Sequence, residues 1–330
     1  MKTIKLGTVG SGMIVHMILD AASNTAGVEL TAVYSRSEEK GRQLAQKYRA
    51  ARIYTDWDRF LADPEIEVVY IASPNSLHYR QTRAALLAGK HVICEKPFCT
   101  DLAQAAELVE LARQQNLMLL DATPTAYLPN LEVIRQQLPE IGPVKLVLAN
   151  FSQYSSRYPA LLAGELPNIF NPAFGGGALM DINYYNLYTA VNLFGKPKNV
   201  TYHPNLYRGQ VDTSGVLVLE YGDFLCQCAG AKDTPGENFF QIQGEKGYIR
   251  ARGTANMLPE VCVVTRESRQ IINCQQEGSA WFYEVQQLVR LLQSEDREAI
   301  RKKQDVILDV MEVLEQARKG AGLCFPWEKG

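Results

Sequence analysis

"IKLGTVGSGMIVHMILDAAS" (residues 4–23) decides the fold. Its first six residues make an apolar strand, and "MIVHMILDAAS" carries apolar side chains at helical spacing. Gly10 and Gly12 stand at the turn between them. A dinucleotide-binding fold needs glycines there, one to turn the chain and the next to let a pyrophosphate reach the helix N-terminus that Met13 and Ile14 begin. A tight strand–helix turn that binds nothing has the same need, and the third position of the G-x-G-x-x-G pattern is Val15, where a small residue is usual. The pattern of the surrounding chain favours the dinucleotide reading.

Outward from that turn the first third alternates. "VELTAVYS" reads as a strand, "SEEKGRQLAQKYR" as an amphipathic helix, "EVVYIAS" as a strand and "LHYRQTRAALLAG" as a helix. "HVIC", "DLAQAAELVELARQQN" and "LMLLDA" continue as strand, helix, strand. Such alternation implies right-handed βαβ units and a parallel sheet covered on both faces. After "TPTAYLPN" (residues 123–130) the character changes. A helix and the strand "VKLVLANFSQYS" lead into a proline-bearing loop, glycines 175–177 and the helix "LMDINYYNLYTAVNLFG". A series of short strands, from "KNVTYHPNLY" to "RQIINC", predicts a mostly antiparallel sheet, and two helices close the chain. The expected organisation is an α/β chain: residues 1–122 form a Rossmann domain and residues 123–330 an α+β domain with a large, mostly antiparallel sheet.

Composition narrows the partners. A chain of 330 residues suggests two domains, and 46% hydrophobic with 21% charged residues is ordinary for a soluble globular protein. A net charge of -2 gives no electrostatic reason to expect nucleic acid or an anionic membrane as partner. No signal-like or bilayer-length apolar segment stands out, so a cytoplasmic location is expected. The seven cysteines are scattered without a C-x-x-C pair and the four histidines lie far apart, so we expect neither disulfides nor a metal site.

Four stretches could carry chemistry. The second strand ends in Tyr34, Ser35 and Arg36, where a site for NAD usually carries an acid for the ribose 2′-hydroxyl. A hydroxyl and a guanidinium instead suit a 2′-phosphate; a surface arginine opening a helix is the plainer alternative. "SPNSLH" holds Ser73, Pro74, Asn75 and His78 at a carboxyl edge of the parallel sheet, although Ser76 could serve as a helix cap and His78 could lie on a helix surface. "HVICEKPFCT" (residues 91–100) ends a buried strand on Glu95 and Lys96, and Pro97 keeps Lys96 out of a helix. That lysine is either a solvated loop residue or a placed chemical group. In "GGGALMDINYY" (residues 175–185), Asp181 and Tyr185 share one helix face, a spacing that an N-terminal acid and a core tyrosine would also show.

Taken together, the G-x-G turn, "SPNxxH", "AGKHVICEKP", "GGGALMDxxxY" and the closing "GLCFPWE" resemble the Gfo/Idh/MocA oxidoreductase family over nearly the whole chain. Tyr185 is similar to the branch of dimeric dihydrodiol dehydrogenase and glucose–fructose oxidoreductase; many other members carry histidine there. The resemblance implies an NADP cofactor, with NAD possible, held by Gly10, Gly12, Met13, Ile14, Ser35, Arg36, Ser73, Pro74, Asn75, His78, Glu95 and Lys96. It implies that Lys96 sits beside the nicotinamide ribose and the substrate hydroxyl, that Tyr185 passes the proton and that Asp181 orients the substrate. It also implies a substrate that is a small sugar, polyol or trans-dihydrodiol, and a homodimer or higher homo-oligomer built on the C-terminal sheet.

The roles are chemically coherent. Hydride transfer to a carbonyl develops alkoxide charge, which an ammonium stabilises and a phenol protonates. A phenol of pKa about 10 is a poor base near neutrality, and a lysine cation nearby lowers it. The chain departs from the branch in "DATPTAYLP", with Asp121 for glutamate and Ala126 for arginine, and in Asn183 for a glycine. Asn168 and Asn171 could supply polar contacts or cap loops. The expected activity is an NADP-preferring dehydrogenase or reductase. A cofactor-binding sensor or regulatory protein with little turnover is the alternative, motivated by the altered segment.

Overall fold

The computed structural model of the protein describes residues 3–276 and 278–328. The chain forms two units, one of residues 1–122 and 281–308, the other of residues 123–280 and 309–330. The stretch 281–308, which the sequence reading puts in the second domain, thus clusters with the first.

In the first unit six strands are set by runs of valine, isoleucine and leucine: β1 (Ile4–Val9), β2 (Val28–Tyr34), β3 (Arg52–Tyr54), β4 (Val68–Ile71), β5 (His91–Glu95) and β6 (Leu119–Ala122). They pair in parallel in the order β3-β2-β1-β4-β5-β6. Every residue of β4 and β6 is buried, as a sheet covered on both faces requires. Helices α1 (Met13–Ser23), α2 (Glu38–Tyr48), α3 (Trp57–Ala62), α4 (Asn75–Leu87) and α5 (Leu102–Gln114) make the crossovers.

Sequence patterning passes over β3 and α3. Three residues show no periodicity, and the six-residue α3 begins on a side-chain cap, with Asp56 accepting from the Arg59 N–H at 2.9 Å. The later helix α6 (Ala280–Ser294) adds to this unit: its Val285, Leu288 and Val289 line one small apolar cavity with Leu6, Ile18 and Tyr70.

The second unit is built on an eight-stranded sheet: β7 (Val144–Ser152), β8 (Asn199–Tyr207), β9 (Val211–Glu220), β10 (Leu225–Ala231), β11 (Phe239–Gly244), β12 (Gly247–Arg252), β13 (Glu260–Thr265) and β14 (Arg269–Ile272), in the order β14-β13-β12-β11-β7-β10-β9-β8. All neighbours are antiparallel except β7 and β10, which run parallel with Ala149 opposite Cys228. The architecture is therefore the α/β class that the alternation predicts, a Rossmann sheet plus a large, mostly antiparallel one.

The helix expected over 179–195 differs at its start. Leu179–Asn183 form a π-helical turn, and the α-helix proper spans Tyr184–Phe194. The Leu179 N–H donates to the Asp212 carboxylate at 2.6 Å, and Gly177, at φ +133°, leaves that carboxylate room where a Cβ would collide with it. At the other end of the turn, Asn183 donates to the Cys228 carbonyl at 3.0 Å and accepts from Asn186 at 3.0 Å. Its side chain packs onto Gly230, which accounts for an asparagine at this position.

The closing "GLCFPWE" is held by a buried arginine. Arg318 donates to both carboxylate oxygens of Glu328, at 2.5 and 2.6 Å, and to the Leu323 carbonyl at 2.6 Å, with its guanidinium 4.1 Å from the centre of the Phe325 ring. Removing the carboxylate strands a buried cation. We expect Glu328→Ala to cost about 3 kcal/mol in chemical denaturation of the full chain; a loss below about 1 kcal/mol would show that the pair contributes little.

Candidate active site

All the candidate loops of the first unit leave the carboxyl ends of parallel strands. The sheet order reverses between β1 and β4, and such a switch point opens the crevice where dinucleotides bind. Gly10 follows β1 with φ +110°, and a Cβ on it would lie 2.6 Å from the Ala72 carbonyl oxygen. Gly12 is the N-cap of α1 with no side-chain cap, and nothing lies within 4 Å of where its Cβ would point. The Val15 N–H turns back to the Gly12 carbonyl at 3.1 Å, and at the start of the helix Met13 is exposed and Ile14 half-buried.

At the end of β2, Ser35 is buried and accepts from the Ser37 N–H at 3.2 Å, while Arg36 is exposed. Ser73, Pro74 and Asn75, half-buried, follow β4, and Ser73 donates its hydroxyl to Gln81 at 2.6 Å. Pro74, not Ser76, is the N-cap of α4. His78 is not on the helix surface: it is fully buried, each ring nitrogen 2.9 Å from a main-chain carbonyl, those of Ser73 and Pro97. Burial, with the Lys96 charge adding to it, lowers its pKa from the usual histidine value, while the two carbonyls oppose that shift, since a neutral ring donates to only one of them. The space left by Gly12 at the start of α1, the tight Gly10 turn and the hydroxyl–guanidinium end of β2 fit a phosphate-bearing dinucleotide.

Lys96 is half-buried just beyond β5, its peptide bond to Pro97 cis. Beneath it lies a group of buried acids. Glu95 accepts from the Tyr70 hydroxyl at 2.5 Å and from the Lys96 N–H at 3.2 Å, and burial raises its pKa to about 7. Asp121 stands opposite Cys94 on β6 and is fully buried. Glu284 of α6 is fully buried too, with no hydrogen bond to either oxygen among the described residues; burial first, then Glu95 and Asp121, push its pKa well up. Sequence reading missed Glu284, although it stands four residues before Leu288 in the apolar stripe of α6, a place where an acid needs a reason.

The second unit gathers a different set. Asp181 sits in the π-helical turn, and Tyr185, buried against Phe151 and Tyr184, opens the following α-helix. The wider turn keeps residues four apart on one side of the helix. Asp181 forms an ion pair with Lys232, which sequence reading also missed. The signal was present: Cys226, Cys228 and Gly230 are the buried parity of β10, and Lys232 continues it. Ala126 is half-buried in a 3₁₀ turn, and Asn171 caps its own loop, accepting from the Ala173 N–H at 2.9 Å. Among the described residues no group of three or more His, Cys, Asp or Glu is arranged to hold a metal ion, and no helix is long and apolar enough to cross a membrane.

Comparison with known proteins places this geometry. Residues 4–122 match the model of an oxidoreductase family with an NAD-binding Rossmann fold, and residues 136–250 match the GFO/IDH/MocA C-terminal domain. The chain belongs to the Gfo/Idh/MocA oxidoreductase family. It is 38% identical over 290 residues to the uncharacterized oxidoreductase YgjR of Escherichia coli (strain K12), covering 88% of each chain. It is 34% identical over 324 residues to the NADP(+)-dependent scyllo-inositol 2-dehydrogenase IolU of Bacillus subtilis (strain 168), covering 98% of each. Among solved structures, a 3-ketoreductase from Actinomadura kijaniata in complex with NADP and TDP-benzene shares the fold, with a TM-score of 0.85 at 21% identity, covering 97% of this chain and 98% of that one. As a member of the Gfo/Idh/MocA family, the protein is an NAD(P)-dependent oxidoreductase.

The acid cluster makes stability pH-dependent. In the folded chain Glu284 keeps its proton at pH values where the unfolded chain has released it, so its contribution to stability falls as pH rises above the ordinary carboxylate range. Glu284→Gln should therefore gain Tm relative to the parent between pH 5 and pH 8. An equal Tm difference at both pH values would show that Glu284 is ionised throughout.

Proposed function

We propose that the protein is an NADP-preferring dehydrogenase or reductase acting on a hydroxyl or carbonyl of a small polyol, sugar or trans-dihydrodiol. The observation that carries this reading is Lys96, half-buried at the strand-end edge that also bears the Gly10–Gly12 turn and the N-terminus of α1. Gly10, Gly12, Met13 and Ile14 would hold the pyrophosphate, and Ser73, Pro74, Asn75, His78 and Glu95 would shape the nicotinamide side. Ser35 and Arg36 would take the 2′-phosphate, with NAD accepted more weakly. The bound cofactor supplies or takes the hydride. Lys96 would stabilise the negative charge that grows on the substrate oxygen. Tyr185 gives or takes the proton at its Oη, and Asp181 holds the substrate hydroxyl. The similarity to an NADP(+)-dependent scyllo-inositol dehydrogenase supports the polyol class.

NADP⁺ reduction measured against a panel of inositols, aldoses and trans-dihydrodiols tests the reading. Lys96→Ala should lower kcat at least about 100-fold on whichever substrate turns over. Arg36→Ala should raise KM for NADP⁺ about tenfold while leaving KM for NAD⁺ unchanged. Tight NADPH binding with no turnover across the panel would favour the sensor.

We also propose a cytoplasmic homodimer formed through the second sheet. Leu206, Leu225, Tyr248 and Ile271 are large exposed apolar residues on four of its strands, and all seven cysteines are free thiols. Sedimentation velocity should give twice the chain mass, or a multiple of that; a monomer at micromolar concentration would refute the dimer.

A further inference from the structure

Lys232 is a buried lysine. Its side chain is 4% exposed, against 29% for its partner Asp181. The main chain holds it in place: its N–H donates to the Thr213 carbonyl at 2.8 Å, and its carbonyl accepts from the Ser155 N–H at 2.8 Å. The next residue is fastened as well, since Asp233 accepts from the Thr213 and Ser214 hydroxyls at 2.7 and 2.9 Å. The ammonium lies 5.5 Å from the centre of the ring of Phe170, a fully buried residue. A lysine so enclosed keeps its charge only beside an anion, and the ion pair it makes is with Asp181. The other charged group it influences, Asp212, is taken up by the Tyr202 hydroxyl at 2.7 Å and by the Leu179 N–H at 2.6 Å. Of the pair, Asp181 alone is open enough to meet a ligand.

We propose that Lys232 is a positioning residue for the reaction: it fixes the Asp181 carboxylate ionised and in one orientation, so that Asp181 accepts a hydrogen bond from a substrate hydroxyl and does not itself act as an acid. The inference rests on the dehydrogenase reading above, and it selects substrates with a second hydroxyl near the reacting carbon, as polyols, sugars and trans-diols have. The ammonium draws the charge of Asp181 to one oxygen without entering the reaction, and no atom or electron of Lys232 is exchanged.

The test uses Lys232→Met, Lys232→Arg, Asp181→Asn and the Met/Asn double variant of the full chain. For the best substrate of the panel, Lys232→Met should lower kcat/KM about 10- to 100-fold, the loss expected of a misplaced binding group. KM for NADP⁺ should stay unchanged, and the acid limb of the kcat/KM profile should move up by about one pH unit or more as Asp181 loses its cation. The groups facing that site are Asp181, Asp212, Asp233 and Lys232, so Asp181→Asn should abolish the shift. Lys232→Arg should recover most of the activity. Activity of Lys232→Met within twofold of the parent, or a loss that is uniform across pH and not recovered by arginine, overturns the proposal.

Thermal unfolding of the same four variants separates this inference from the reading it rests on. Lys232→Met should lose several degrees of Tm, and adding Asp181→Asn should return part of the loss. Additive losses overturn the pairing whatever the turnover. Mutual rescue in a parent chain that turns over nothing overturns the dehydrogenase reading and leaves the pair standing.

Discussion

A parallel strand can follow its neighbour only after the chain has crossed back over the sheet, so every strand of the first unit delivers its carboxyl end to one edge. The candidate groups depend on that constraint. Gly10, Ser35, Ser73 and Lys96 are far apart in sequence, yet each is one or two residues beyond the end of β1, β2, β4 or β5. The order reversal between β1 and β4 puts the helix amides at the centre of that edge. The antiparallel unit has no common edge, because its strands mostly alternate in direction. Its candidates come instead from a helical turn that crosses the sheet, with Asp181 and Tyr185 on it, and from the end of β10, which brings Lys232.

In both units the exposed or half-exposed group is backed by buried ionisable side chains. Below Lys96 are Glu95 and Glu284, acids that burial makes reluctant to ionise, together with the fully buried Asp121. Behind Asp181 is Lys232, a cation with little access to water. The low local dielectric strengthens each of these interactions, and it makes each buried group costly unless something compensates it. A cluster of protonable acids under an ammonium can tune its field with little motion. A single ion pair instead fixes one carboxylate in one state.

Much of this was legible in the chain. The strand–turn–helix at residues 4–23 and the alternation behind it carry the parallel sheet, because periodicity of 2 against 3.6 is a local property. The "EKP" and "GGGALMD" stretches marked Lys96, Asp181 and Tyr185. Short elements were not legible: β3 has three residues and α3 six, too few to show a period. The π-helical turn was hidden as well, since it arises from the Asp212 carboxylate and from Asn183 docking on Gly230, contacts between residues dozens of positions apart.

What the sequence determined by itself is the order and kind of its elements, the Gly10–Gly12 turn and the residue types available for phosphate, hydride and proton chemistry. Those follow from backbone freedom, side-chain shape and spacing along one chain. Only the tertiary structure decided the fate of individual charges. His78 became a buried ring between two carbonyls, Glu284 an acid without a hydrogen-bond partner among the described residues, and Lys232 the counterion of Asp181. Whether a charged side chain is solvated, paired or forced neutral depends on what packs around it, and its neighbours are brought there by strands and helices far away in sequence.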